Sequence, residues 1–175
     1  MYLPLYYSSV TGNTKKLASY LKKNLKKRGH VVPFLNAARN HRPVEDADLL
    51  ILAFWCRRSS MDDASLKLLS QCQDRKILAV GTMGGNVEGD YGRRVENNIR
   101  QLIEEKNQCI GVCLCKGAID LRRMRRRMAL PQDHPRHVTQ EKFQKSLLTQ
   151  GHPDHDDLER VNSFVENSLS FAQNL

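Results

Sequence analysis

A chain of 175 residues with 40% apolar side chains, ten glycines and six prolines fits one globular domain with a substantial core, so disorder is not the default. The apolar run Leu49 to Trp55 is far too short to span a bilayer, and Met1 leads directly into a strand-like segment without a secretory leader pattern, so a cytoplasmic protein with no membrane partner is expected. The net charge of +9 is lopsided: nine Lys or Arg and no acid precede Glu45, whereas nineteen of each sign follow.

In chain order, Leu3 to Tyr7 reads as a strand, with Pro4 either opening its pairing or bending it because proline donates no ladder hydrogen bond. Ser8, Ser9, Thr11, Asn13 and Thr14 then gather around Gly12 ahead of a helix from about Thr14 to Arg28. Leu17, Leu21 and Leu25 recur at helical spacing, Lys22, Lys23, Lys26 and Lys27 fall on the polar side as a solvated face, and Gly29 ends the helix. Val31 to Leu35 is a second strand, and Leu49 to Trp55 a third that is apolar on both faces. A short helix around Ala64 to Ser70 precedes a fourth strand, Lys76 to Gly81. Tyr91 to Glu105 carries Val95, Ile99 and Leu102 on one helical face, and Cys109 to Cys115 is a fifth strand. Apolar strands alternating with helices specify an open α/β parallel sheet covered by helices on both faces.

Beyond it, Asp120 to Met128 and Thr139 to Leu148 read as short helices separated by a loop with two prolines. The final helix follows Pro153, with Leu158, Val161, Val165 and Leu169 along one stripe. Residues 117–151 are therefore expected as an insertion before the last helix of a single domain, 1–175.

Ligands of open parallel sheets bind beyond the carboxyl ends of the strands, where the loop after strand one lies. Hydroxyls of Ser9, Thr11 and Thr14, together with helix-start amides, suit a terminal phosphate monoester; the alternative is an ordinary Ser/Thr/Asn-rich helix cap. Ser9-Val10-Thr11-Gly12-Asn13-Thr14 resembles the phosphate loop of the flavodoxin family, S/T-x-T-G-x-T, at the position that family gives it. The likeness spans the five strands and the final helix, about residues 1–117 and 151–175. It implies a flavodoxin-like, doubly wound five-stranded parallel sheet of order 2-1-3-4-5. It also implies a noncovalent flavin mononucleotide (FMN) with its phosphate on Ser9, Val10, Thr11, Gly12, Asn13 and Thr14. The isoalloxazine ring would lie between the loops after strands three and four, beside Trp55 and Cys56 on one side and Thr82, Met83, Gly84 and Gly85 on the other. Trp55 is a stacking partner or a core tryptophan; Tyr91 is an outer flanking ring or the first buried residue of the next helix; Met83 is a second candidate lid. The stretch GHPDHDDL and the insertion before it are also similar to a flavodoxin-like subgroup thought to serve bilirubin reductases.

The resemblance implies an electron-transfer flavoprotein that passes electrons to or from a partner oxidoreductase. No acid–base pair converges on the loops, so no catalytic side chain is expected and the chemistry would belong to the flavin. The basic balance points to a partner with an acidic docking surface. One alternative is an NAD(P)H-dependent FMN or quinone reductase, although no G-x-G-x-x-G follows a strand. Another is a flavin-free module using Lys15 to Arg28 or Arg122 to Arg127 on nucleic acid or an acidic protein. Strand ends Tyr-Tyr-Ser-Ser and Phe-Trp lack the acidic cluster of a phosphoryl receiver. Leu121 to Met128, LRRMRRRM, reads as a surface helix with Leu121, Met124 and Met128 on its apolar stripe, against a nucleic-acid or acidic-partner patch. The pairs His134/His137 and His152/His155 read as loop or capping residues rather than metal ligands. Cys56, Cys72, Cys109, Cys113 and Cys115 read as reduced thiols, and Cys113 and Cys115 share one face of a strand, which disfavours a disulfide.

Overall fold

The computed structural model describes residues 1–39, 43–47 and 49–172. Its strands are β1 (Leu5–Tyr7), β2 (Phe34–Asn36), β3 (Leu49–Arg57), β4 (Ser60–Met61), β5 (Lys76–Met83) and β6 (Gln108–Lys116). Its helices are α1 (Asn13–Lys27), α2 (Asp63–Leu69), α3 (Asp90–Glu104), α4 (Leu121–Met128), α5 (Gln140–Leu147) and α6 (His155–Ala172). The five parallel strands run in the order β2-β1-β3-β5-β6, which is the expected 2-1-3-4-5 once the short β4 is set aside. β4 folds back antiparallel onto the end of β3.

Two prolines explain where the first ladders begin. The chain before β1 forms only a bridge between Tyr2 and Val31, and Pro4 contributes its carbonyl to Ile51 N–H at 2.9 Å instead of a donor. The second strand, expected over Val31 to Leu35, is Phe34–Asn36, because Pro33 interrupts the donor row while its carbonyl still accepts from Leu5 N–H. β3, β5 and β6 each run two residues longer than their apolar patterns, whereas β1 begins two residues later than the expected Leu3.

Apolar side chains on both strand faces create two cores. On one face Leu17, Leu21 and Leu25 of α1 and Val161, Val165 and Leu169 of α6 pack over Leu5, Ile51 and Val80. Cys113 and Cys115 share this face, both reduced. On the other, Leu68 and Leu69 of α2 and Val95, Ile99 and Ile103 of α3 cover Tyr6, Leu52 and Phe54. Each such side chain contributes about 1.5–3 kcal/mol on burial, so the two helix layers lock the sheet between them. Gly81 is a packing requirement: a β-carbon there would stand 2.4 Å from the Phe54 ring. Among the described residues, no helix is long and apolar enough to cross a membrane.

The registers Tyr7↔Ala53, Trp55↔Thr82 and Met83↔Lys116 bring the carboxyl ends of four strands to one edge. The α4–α5 segment returns to this same edge: Gly117 N–H donates to Met83 O (2.9 Å), Ala118 N–H to His152 O (3.0 Å) and Ile119 N–H to Thr149 Oγ1 (2.9 Å).

Candidate functional site

Ser8 N–H still donates to Ala53 O at 2.9 Å as the chain leaves β1. The chain then turns through Gly12, whose φ of 96° is the left-handed region that favours glycine. Ser9 Oγ accepts from Gly12 N–H at 3.1 Å and closes the turn. Gly12 is also the N-cap of α1 and provides no capping side chain. Helices α2, α4 and α5, by contrast, are capped by Asp62, Asp120 and Thr139. The first-turn amides of α1, and the positive end of its dipole, thus lack a side-chain acceptor from the cap.

The two polar residues that open α1 turn inward. Asn13 Nδ2 donates to Ala118 O at 2.8 Å, tying α1 to the α4–α5 segment. The Thr14 hydroxyl, 1% exposed, lies 2.8 Å from Thr82 Oγ1 and donates toward Phe54 O at 3.4 Å. It fastens the helix to two strand ends, whereas Thr11 stands exposed on the loop.

The end of β3 is shaped by Asp62. Its Oδ1 accepts from Ala64 and Ser65 N–H at 3.1 and 3.2 Å, and its Oδ2 accepts from Ser65 Oγ at 2.8 Å and Trp55 N–H at 3.3 Å. One buried carboxylate therefore caps α2 and fixes the backbone of half-buried Trp55. Cys56 pairs with Met61 across the β3–β4 hairpin, whose two turn residues, Arg58 and Ser59, have φ of 50° and 61°. Paired positive φ is the type I′ geometry that matches strand twist. Arg57 forms an ion pair with Asp63 beside it. Burial pushes the Cys56 thiol up to about 12, with Asp62 and Glu96 adding to the rise, so it stays protonated and neutral.

At the end of β5, Thr82 and Met83 are buried and Gly84 is exposed. A β-carbon on Gly84 would stand 2.6 Å from Ile119 Cγ1, so the α4–α5 segment packs directly on this loop. Met83 is 5% exposed and belongs to the core beneath, which makes it a floor rather than a lid. Tyr91 is not the first buried residue of α3: it is 45% exposed. Its hydroxyl lies 3.1 Å from Ser59 Oγ, and its ring passes beside Gly85, bridging this loop to the hairpin tip.

These loops enclose a cleft of about 170 Å³. Val10, Thr11 and Asn13 line one side, Trp55 and Cys56 another, and Thr82, Met83 and Gly84 the base. Ser9, Gly12, Thr14, Gly85 and Tyr91 lie in adjoining loops and are not part of this lining. Residues 117–119 and Arg123 complete it, and Arg123 is its only charged side chain among the described residues. Sequence reasoning missed this contribution because nothing in LRRMRRRM marks which arginine turns toward the strand ends. Three histidines of the two sequence pairs make hydrogen bonds to nearby chain, and His152 lies in a cluster with Asp154 and Asp157 whose ligand atoms fall within 4.8 Å of one another. His137 Nδ1 lies 2.8 Å from Leu130 O, and His134 Nδ1 accepts from Arg136 N–H at 3.0 Å. His152 Nδ1 lies 2.5 Å from Asp157 Oδ2, within a cap in which Asp157 N–H donates to Asp154 Oδ1 and Asp154 N–H to Asp157 Oδ2.

A doubly wound sheet with a glycine-turned, hydroxyl-bearing loop leading into its first helix is the architecture of a flavodoxin domain. The chain belongs to the flavodoxin domain family, whose sequence model matches residues 4–166. It is similar to the flavodoxin-like domain-containing protein BilS of Clostridioides difficile (strain CD3), 26% identical over 165 residues that cover 93% of each chain. A short-chain flavodoxin associated with a PDU bacterial microcompartment shares the fold at a TM-score of 0.59 and 16% identity, over 98% of this chain and 99% of that one. Two-electron reduced Megasphaera elsdenii flavodoxin shares it at a TM-score of 0.52 and 18% identity, over 84% of this chain and 98% of that one.

Proposed function

We propose that this protein binds FMN in the cleft and serves as an electron-transfer flavoprotein for a partner oxidoreductase. The observation that carries the proposal is a juxtaposition: the loop leading into α1, left without a capping side chain, shares one cleft with Trp55 and, among the described residues, with no carboxylate. The donor set fits the cofactor. A phosphate takes its hydrogen bonds from the Thr11 and Ser9 hydroxyls and the amides that begin α1, where the helix dipole favours an anion. Trp55, held by Asp62, offers an aromatic face to the ring, and Gly84 and Gly85 let backbone groups approach it. Tyr91 flanks the site from the side of the hairpin. The neutral Cys56 thiol adds no charge. Bound FMN supplies the electron chemistry, while these residues bind it, orient it and limit water around it.

The test compares FMN with riboflavin, which lacks only the phosphate, by quenching of flavin fluorescence on titration with purified protein. FMN is expected to bind at least about tenfold more tightly, the value of one charge-assisted hydrogen bond or more. Equal affinities would remove the phosphate site, and failure of both ligands to bind would remove the flavoprotein reading.

A further inference from the structure

Residues 117–151 hold eight Lys or Arg against three acids. Two of those acids are already committed: Asp120 accepts from Arg122 and Arg123 N–H at 2.9 and 3.1 Å, and Glu141 pairs with Lys145 at 2.6 Å. Helix α4 concentrates the excess, with five arginines in eight residues. Leu121, Met124 and Met128 are half-buried, while Arg122, Arg123, Arg125 and Arg126 are exposed. Among the described residues, no carboxylate lies within ion-pair distance of any α4 arginine.

Helix stability does not account for this arrangement. Arginines in the last turn complement the negative end of the dipole, but Arg122 and Arg123 sit in the first turn, where positive charge is unfavourable and the N-cap acid, Asp120, is engaged by their backbone N–H groups. The pairs Arg122/Arg125, Arg122/Arg126, Arg123/Arg126 and Arg123/Arg127 stand at spacings that put like charges on one face and destabilise the helix. An acidic surface laid against α4 would relieve both penalties. Arg123 also lines the cleft, so this face continues into the rim of the site.

We propose that the exposed arginine face of α4 docks the acidic surface of a redox protein at the cleft rim. The proposal rests on the flavin reading of that cleft, which gives such a partner a reason to approach this edge. Its charge places recognition mainly in the rate of association and in salt sensitivity.

The test uses acidic cytochrome b5 as the protein probe and basic cytochrome c as its counterpart. Binding to the full chain is measured by calorimetry, with and without FMN, across a salt series. Cytochrome b5 should bind in a salt-sensitive manner and cytochrome c should not bind. The double variant Arg125→Glu/Arg126→Glu should weaken cytochrome b5 binding by about tenfold or more. Lys26→Glu/Lys27→Glu makes the same charge change in the last turn of α1, at two exposed positions, and should alter binding less than about twofold. Equal losses in the two variants would reduce the effect to net charge and overturn the proposal, as would no loss in either. A 20-base-pair duplex DNA bound more tightly than cytochrome b5, and released by the α4 variant alone, would reassign the face to nucleic acid. Because Arg125 stacks 5.9 Å from the Phe143 ring centroid, Arg125→Gln/Arg126→Gln serves where the reversal unfolds the segment, with a smaller loss in the same direction. Absence of FMN binding would sink the flavin reading and with it the redox character of the partner, whereas equal losses in the two charge variants would sink the α4 docking face with the flavin reading intact.

Discussion

Gly81 and Gly84 stand three positions apart around the end of β5, and contact distances give them different work. At Gly81 an added β-carbon would meet Phe54 at 2.4 and 2.5 Å and Leu114 at 2.7 Å, inside the core. Gly81→Ala should lower stability by about 1–3 kcal/mol in denaturant unfolding, because a packed ring cannot yield without displacing its neighbours. At Gly84 the clash is with Ile119 at the cleft edge, so Gly84→Ala should weaken FMN binding several-fold in fluorescence titration and move the unfolding midpoint much less. The sequence shows glycines in both places without separating core from cleft, since the distinction lies in residues 27 and 35 positions away. Cys56 is a similar case. Its place beside the cleft follows from Trp55, but its thiol, raised to about 12 chiefly by burial, depends on the hairpin above it. At pH 8 only about one part in ten thousand is thiolate, so Cys56 should resist iodoacetamide in the native protein and react on unfolding, as read by mass spectrometry. Rapid native alkylation at pH 8 would contradict that environment.

Among the elements, the long helices and the central strands were readable because burial imposes a period on them: Leu17, Leu21 and Leu25 in α1, Val95 and Ile99 in α3, and the unbroken run of β3. The β3–β4 hairpin was not. Two residues of β4 carry no period, and Arg58-Ser59 lacks the Asn-Gly signature of the turn they form. Left-handed backbone at residues other than glycine costs roughly 1–2 kcal/mol each. Ser59 has a compensating contact in Tyr91, so Arg58→Gly is the cleaner change, and it should stabilise the protein by about 0.5–1 kcal/mol in equilibrium unfolding. A loss of stability would mean that the Arg58 side chain outweighs its backbone strain. Asp62 links this hairpin to α2. Asp62→Ala removes a helix cap and leaves Trp55 N–H without its acceptor, for an expected loss of about 2–3 kcal/mol, together with weaker FMN binding as Trp55 loosens.

For the whole molecule, totals of charge concealed its arrangement. Equal numbers of basic and acidic residues after Glu45 suggested neutrality there, yet residues 117–151 carry five more positive than negative charges, compensated elsewhere in the later chain. Only the fold brings that basic segment to the cleft, alongside the loop that begins α1. The fold order was legible because each strand and helix announces itself locally; the third side of the cleft was not, because its residues meet the loop more than a hundred positions away in the chain. On the proposed flavin reading, the assembled charge should act on the approach of FMN itself. FMN is an anion, riboflavin is neutral, and the protein carries +9 with Arg123 as the one charged residue of the cleft lining among the described residues. A positive field of this kind raises the encounter rate with an anion and is screened as the Debye length falls from about 30 Å at 0.01 M salt to below 10 Å beyond 0.1 M. In stopped-flow fluorescence, the association rate of FMN should therefore fall on the order of tenfold between 0.01 and 0.5 M salt. Riboflavin, meeting the same loops without charge, should change by less than about twofold. Parallel salt curves for the two ligands would show that the field does not reach the cleft mouth, and would confine the role of the basic residues to solubility.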